Sequence, residues 1–114
     1  MAKEVPEGII QFVGVSDLSP EEQETVQELT TKAYERIIIM LQNLTDLVVH
    51  VKTYENEGEK KKYALHVRCS APTVLFESKK GFDWELPRAL HKAFNDIEQQ
   101  INHRLHTDST KPDR

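Results

Sequence analysis

The sequence predicts an α+β fold: a two-layer β-α-β-β-β-α sandwich, with a four-stranded sheet and two helices on one face. Three observations lead there. Two stretches carry apolar residues at three- and four-residue spacing, the period of an amphipathic helix. Four shorter runs are rich in β-branched and aromatic residues, which suit strands. One of them, Lys62 to Cys69, alternates cleanly. Tyr63, Leu65, Val67 and Cys69 point one way, and Lys62, Ala64, His66 and Arg68 point the other. A half-polar sheet has one face for a core and one for solvent or a partner.

The elements follow in order. Residues 1–8 contain Pro6 and Gly8 and read as a loose leader. Ile9 to Val15 is a first strand, and Ser16-Asp17-Leu18 a connection. Ser19-Pro20-Glu21-Glu22 then announces a helix. The Ser19 hydroxyl suits an N-cap, Pro20 suits the first helical position, and Glu22 stands where a capping box wants an acid. The helix is predicted from about Pro20 to Asn43. Val26, Leu29, Ala33, Ile37, Met40, Leu41 and Leu44 form its apolar stripe, and most of its charges lie elsewhere.

Leu47 to Tyr54 is a second strand, and Glu55 to Lys61 a polar loop around Gly58. After the third strand, Ser70-Ala71-Pro72 breaks the run. Thr73 to Ser78 is a fourth strand, and Lys79 to Asp83 a turn. The last helix starts near Glu85, with Pro87 in its first turn, where a missing amide costs nothing. Leu86, Leu90, Ala93, Phe94, Ile97, Ile101 and Leu105 form its stripe. Thr107 to Arg114 is polar, contains Pro112 and reads as a frayed tail. A single domain over residues 9–106, between flexible ends, is the resulting organisation.

Composition bounds the function. The 114 residues, with 38% hydrophobic and 30% charged side chains, suit one globular domain. No apolar run approaches the roughly 20 residues of a membrane span, and no signal-peptide segment opens the chain. Cys69 is the lone cysteine, so neither an internal disulfide nor a thiolate metal cage is available, and a reducing cytoplasm is the expected setting. Its place in the strand alternation makes it a buried structural thiol. The net charge of −4 is uneven: residues 1–57 hold 4 basic and 11 acidic side chains, residues 58–114 hold 11 and 8. Such a balance argues against a general polyanion binder but leaves room for a local basic face.

Catalysis finds little support. There is no glycine-rich phosphate loop and no nucleophile elbow, and of the histidines only His103 and His106, three apart near the end of the last helix, could share a face. No cofactor or metal is expected. The open sheet face says more. A hairpin centred near Gly58 sets Tyr54 opposite Lys62, Lys52 opposite Ala64, His50 opposite His66 and Val48 opposite Arg68. Lys52, Lys62, Arg68, His50 and His66 then share that face. Lys60 and Lys61 lie at the hairpin tip, Lys79 and Lys80 precede the last helix, and Arg88 and Lys92 sit on it. These side chains suit phosphate contacts, and the two histidines would add charge at lower pH. On this reading Tyr54 is the one aromatic fit for stacking a base, so RNA contacts would go to backbone and shape. Trp84 has two readings, a lid over the core edge or an anchor for a partner.

Over residues 9–105 the chain resembles the ribosome hibernation-promoting factor family, which includes the ribosome-associated inhibitor also called protein Y. Ile9 to Val15 followed by Ser16-Asp17-Leu18-Ser19 resembles the family's first strand and helix entry. The hairpin from Leu47 to Cys69 fits its middle strands. Glu85-Leu86-Pro87-Arg88-Ala89-Leu90 resembles its acid-apolar-x-x-Ala-Ile opening of the last helix. Ile97-Glu98-Gln99-Gln100-Ile101 resembles its Leu-x-x-Gln-Leu continuation.

The resemblance implies a β-α-β-β-β-α domain related in shape to double-stranded RNA-binding domains. It implies a non-enzymatic protein that binds the small ribosomal subunit and its rRNA in the channel of messenger and transfer RNA. Such a protein blocks translation and protects idle ribosomes in stationary phase or stress. Long members add a C-terminal dimerisation domain, and this chain resembles a short form. Members usually carry more positive charge on both helices; here Asp96 and Gln99 stand where basic residues are expected, and only His103 and Arg104 keep that character. The alternative reading is a protein-protein adaptor or homodimerisation module on the same fold, using the open face or an unpaired edge strand.

Overall fold

The computed structural model describes residues 9–43, 45–55 and 61–110. The expected leader, the hairpin tip around Gly58, Leu44 of the first stripe and residues 111–114 lie outside them. The strands are β1 (Ile10–Val13), β2 (Asp46–Glu55), β3 (Lys61–Ala71) and β4 (Val74–Asp83), and the helices α1 (Pro20–Leu41) and α2 (Leu86–Thr110). They form one sheet of order β1-β2-β3-β4. β1 runs parallel to β2, with Ile10 beside Leu47 and Val13 beside His50. A parallel neighbour needs a crossover, and α1 supplies it. The other pairs are antiparallel. Tyr54 faces Lys62, Lys52 faces Ala64, His50 faces His66 and Val48 faces Arg68, the register the hairpin predicts.

Both helices lie on one side of the sheet, as expected. On that side Leu47, Val49, Val51, Leu65, Val67 and Cys69 are buried together with Ile37 of α1 and Leu90, Ile97 and Ile101 of α2. Fully burying one such aliphatic side chain is worth about 1.5–3 kcal/mol. The Arg36 guanidinium ties the helices together, 2.9 Å from the Glu98 carboxylate. Cys69 is buried, as its place in the alternation suggests, and burial pushes its thiol up to about 11, which disfavours the thiolate. Thr30 is also fully buried on the α1 stripe, a polar residue among the apolar ones. No helix among the described residues is long and apolar enough to cross a membrane.

The start of α1 has the expected cap. The Glu22 amide donates to the Ser19 hydroxyl at 3.1 Å, and the Ser19 amide to the Glu22 carboxylate at 3.0 Å. The Tyr63 hydroxyl, from β3, donates to the same carboxylate. Burial alone would raise Glu22, but the hydrogen bonds from Tyr63 and Ser19, with Lys61 nearby, outweigh it and hold the carboxyl below its ordinary value. Tyr63 moves the other way, pushed up to about 12 by burial first and by the Glu22 carboxylate second.

Three expectations need correction. The first strand ends at Val13 rather than Val15, because Gly14 takes a left-handed φ of 84° and Val15–Asp17 form a 3-10 turn. A Cβ at Gly14 would collide with the Val51 carbonyl oxygen, so glycine is needed there. The segment from Lys79 to Asp83 is strand, not turn. Its register shifts by one between Leu65 and Val67, a bulge that absorbs one extra residue at Lys79-Lys80. Gly81 is there for contact: a Cβ would lie 2.7 Å from the Ala89 carbonyl oxygen and 2.8 Å from the Ala93 side chain. Glycine in a strand lets another backbone come close, and here it seats α2. The helical backbone of α2 also continues through Thr110, into the segment expected to be tail.

Candidate nucleic-acid interface on the open sheet face

The basic residues expected to share one site fall into two groups. His50 and Lys52 of β2, Lys62, His66 and Arg68 of β3 and Lys79 of β4 belong to the open face. Lys61 belongs to the helix layer, since it shares the parity of buried Tyr63; its ammonium lies 3.7 Å from Glu22. Lys80 reaches Asp96 of α2 at 3.6 Å. Arg88 lies 3.8 Å from Glu85. Lys92 lies 2.9 Å from Asp83 and donates to the Phe82 carbonyl at 3.1 Å. Hydrogen bonding from Lys92 is the leading reason the Asp83 carboxyl sits below the usual range. Each of these helix-layer cations therefore has a carboxylate beside it. Lys60 lies outside the described residues.

The open face has two ends of different character. At one end Glu77 of β4 holds Arg68, with the guanidinium Nε at 3.1 Å. His66 Nε2 lies 3.5 Å from the same oxygen, without a hydrogen bond. The hydrogen bond from Arg68 comes first among the causes that keep the Glu77 carboxyl low. Exposed pairs like this contribute little to stability, but they occupy the charge a phosphate would need.

Toward the other end the sheet dips into a concavity of about 310 Å³ lined by His50, Lys52, Tyr54, Ala64, His66 and Lys79. Ala64 makes the dip because it places a methyl where its neighbours carry long side chains. Among the described residues, neither Lys52 nor Lys79 has a carboxylate partner. Two ammonium groups on flexible stems at the rim, with two imidazoles beside them, can hold an anion by charge and hydrogen bonds. No group of three or more metal-ligating side chains occurs among the described residues.

The open face is richer in aromatic side chains than the sequence suggests. Because β4 continues to Asp83, Phe82 sits opposite Ala64 on the open face. Phe82 is 45% exposed and Trp84 44% exposed, and the Lys62 ammonium lies over both rings, 4.1 and 5.2 Å from their centres. This exposure favours the partner-anchor reading of Trp84 over the lid. Tyr54 completes the set, beside Lys62 in the next strand. The signal lay in Lys79-Lys80-Gly81, which reads as a turn on composition and is a bulge in fact.

No protein-family model matches the sequence, and no curated protein matches it by sequence. Solved structures do match by fold. The Thermus thermophilus Protein Y N-terminal domain superposes with a TM-score of 0.61 at 14% identity, covering 85% of this chain and 94% of that one. A ribosomal subunit interface protein from Coxiella burnetii gives a TM-score of 0.60 at 18% identity, covering 86% and 98%. At these identities the likeness is one of architecture: the resemblance drawn from residues 9–105 is borne out as a fold, and the chain is built like the Protein Y N-terminal domain.

Proposed function

We propose that the chain is a non-enzymatic, cytoplasmic ribosome-binding protein that inhibits translation and stabilises idle ribosomes by binding rRNA of the small subunit. The observation that carries this reading is the concavity of the open face, where Lys52 and Lys79 stand beside His50 and His66 with no carboxylate partner among the described residues. A sheet face left uncovered by its helices and bearing these cations suits a phosphate backbone. The fold supports the same reading, since one of its structural neighbours is a ribosomal subunit interface protein.

The acidic total sets the conditions. At a net charge of −4 long-range steering toward RNA is absent, and binding depends on the few cations at the contact. The helix-layer cations Lys61, Lys80, Arg88 and Lys92, paired as they are, contribute less than the open-face group. The test is co-sedimentation with purified ribosomal subunits across a salt series. Binding to the small subunit that weakens with salt, with inhibition of a cell-free translation reaction at the same concentrations, is the expected result. Absence of binding at low salt would overturn the proposal, and a tight dimer in sedimentation velocity that buries His50, His66 and Arg68 would favour the adaptor reading.

A further inference from the structure

We propose that Tyr54, Phe82 and Trp84, with Lys62 among them, form a stacking platform for the bases of single-stranded RNA, while Lys52 and Lys79 take the adjoining phosphates. This deepens the ribosome-binding reading, on which it rests for the choice of RNA, by naming the part of the RNA that is gripped.

The rings are on the side of the sheet that no helix covers. Their exposures of 50, 45 and 44% are those of side chains outside the core. The Lys62 ammonium over Phe82 and Trp84 marks a ring face accessible from solvent. An exposed cation holds such a face less firmly than a stacked base does. A base can therefore take its place, and the freed ammonium becomes one more phosphate contact. Tyr54 and the β4 aromatics stand two strand spacings apart, about 10 Å, with the hollow over Ala64 beside them.

Charge decides what occupies the platform. Lys52 lies in the same cross-strand row as Ala64 and Phe82, and Lys79 lines the same hollow. The carboxylates that flank Trp84 in sequence, Asp83 and Glu85, are engaged by Lys92 and Arg88. An apolar protein surface docked here would strip water from the three lysines without replacing it. A single strand of RNA offers both what the rings need and what the lysines need. Among the six residues there is no Asn or Gln to read base edges, so binding tolerates sequence.

The chain has one tryptophan, so Trp84 emission reports on its own site. The experiment titrates the full chain with an oligouridylate of about eight nucleotides, within the usual site size of such proteins. Saturable quenching is expected, together with weaker binding and no quenching by an abasic backbone of equal length. Phe82→Leu keeps an apolar side chain but removes the ring, and is expected to weaken binding about tenfold, the scale of one missing stack. The salt slope of Phe82→Leu should match that of the unmodified chain. Lys52→Glu with Lys79→Glu should lower it.

Equal affinity for the abasic strand, or an unchanged affinity in Phe82→Leu, overturns the platform. So does a dimer in sedimentation velocity that Phe82→Leu dissolves while no oligouridylate binds; the rings would then serve a second copy. Ribosome co-sedimentation on the same samples keeps the two readings apart. Oligouridylate binding without ribosome binding leaves the platform standing and removes the ribosome. Ribosome binding without oligouridylate binding does the reverse.

Discussion

Leu65 and His66 are consecutive residues of β3, yet one is 2% exposed within the core and the other lines the hollow of the open face. The same contrast runs along every strand of the sheet. At the buried positions of the covered side, such as Val49, Leu65 and Val67, the requirement is only that the side chain be apolar and fit. On the open side each position is decided by its cross-strand neighbour. Arg68 is neutralised because Glu77 lies across from it, and Lys52 is not, because Ala64 lies across from it. A count of basic residues therefore overstates the usable charge, and the register supplies the correction.

The largest effect expected belongs to the covered side. Leu65→Ala should lower unfolding free energy by about 2–5 kcal/mol, the range for a buried leucine whose cavity closes only in part. His66→Ala should stay within about 0.5 kcal/mol. Urea unfolding of both variants checks the pair, and comparable losses would break the division between the faces.

Next comes binding. Lys52→Glu with Lys79→Glu should weaken ribosome association by about 10- to 100-fold, or about 1.4–2.8 kcal/mol, with the melting temperature unchanged. The slope of log affinity against log salt should fall by about two units, one for each phosphate that is no longer neutralised. The matching double change on the helix layer, Lys80→Glu with Arg88→Glu, should do much less. Co-sedimentation of the two variants side by side decides whether the open face is the one that meets RNA.

A smaller effect sits at the edge between the faces, where Tyr63 leaves the core to reach Glu22. A carboxyl held below its ordinary value of 4.5 stabilises the fold above that pH. The contribution is lost as pH falls from there through the lowered folded-state value. Glu22→Gln should cost about 1–2 kcal/mol at pH 7, through the weakened capping box and the missing charged hydrogen bond. The gap between the two proteins should then narrow as pH drops below 4.5. Urea midpoints measured from pH 7 down to pH 3 check this, and a constant gap would mean that the carboxylate's charge plays no part.

The same contrast explains what was legible in the sequence. The capping box follows from local hydrogen bonding; the helical stripes, the alternation of β3 and the β2–β3 register follow from periodicities that burial enforces, save that Leu105 at the end of the α2 stripe is exposed. Gly14 and Gly81 were harder, since nothing local says that Val51 or Ala89 will come so close to them. Without the role of Gly81, β4 reads as a shorter strand and Phe82 as part of a turn. Of the candidate site, the membership of Lys52, Lys62, Arg68, His50 and His66 in one face was readable from alternation. The pairing of Arg68 with Glu77, and of Lys92 with Asp83, was not, because it depends on tertiary neighbours.

The smallest effect is the most specific to the open face. Glu77 holds Arg68 by hydrogen bond and draws His66 toward the same oxygen, so it competes with any phosphate for both. Glu77→Gln removes the negative charge while keeping the shape. It should tighten RNA binding about two- to fivefold and leave stability almost unchanged because the pair is exposed. The gain should shrink in high salt, where a freed guanidinium is screened. A titration at low and high salt reads it directly. Tightening confined to low salt would extend the contact surface from the hollow to Arg68. No tightening would restrict it to Lys52, Lys79 and the aromatic end, with Arg68 serving only to hold β3 against β4.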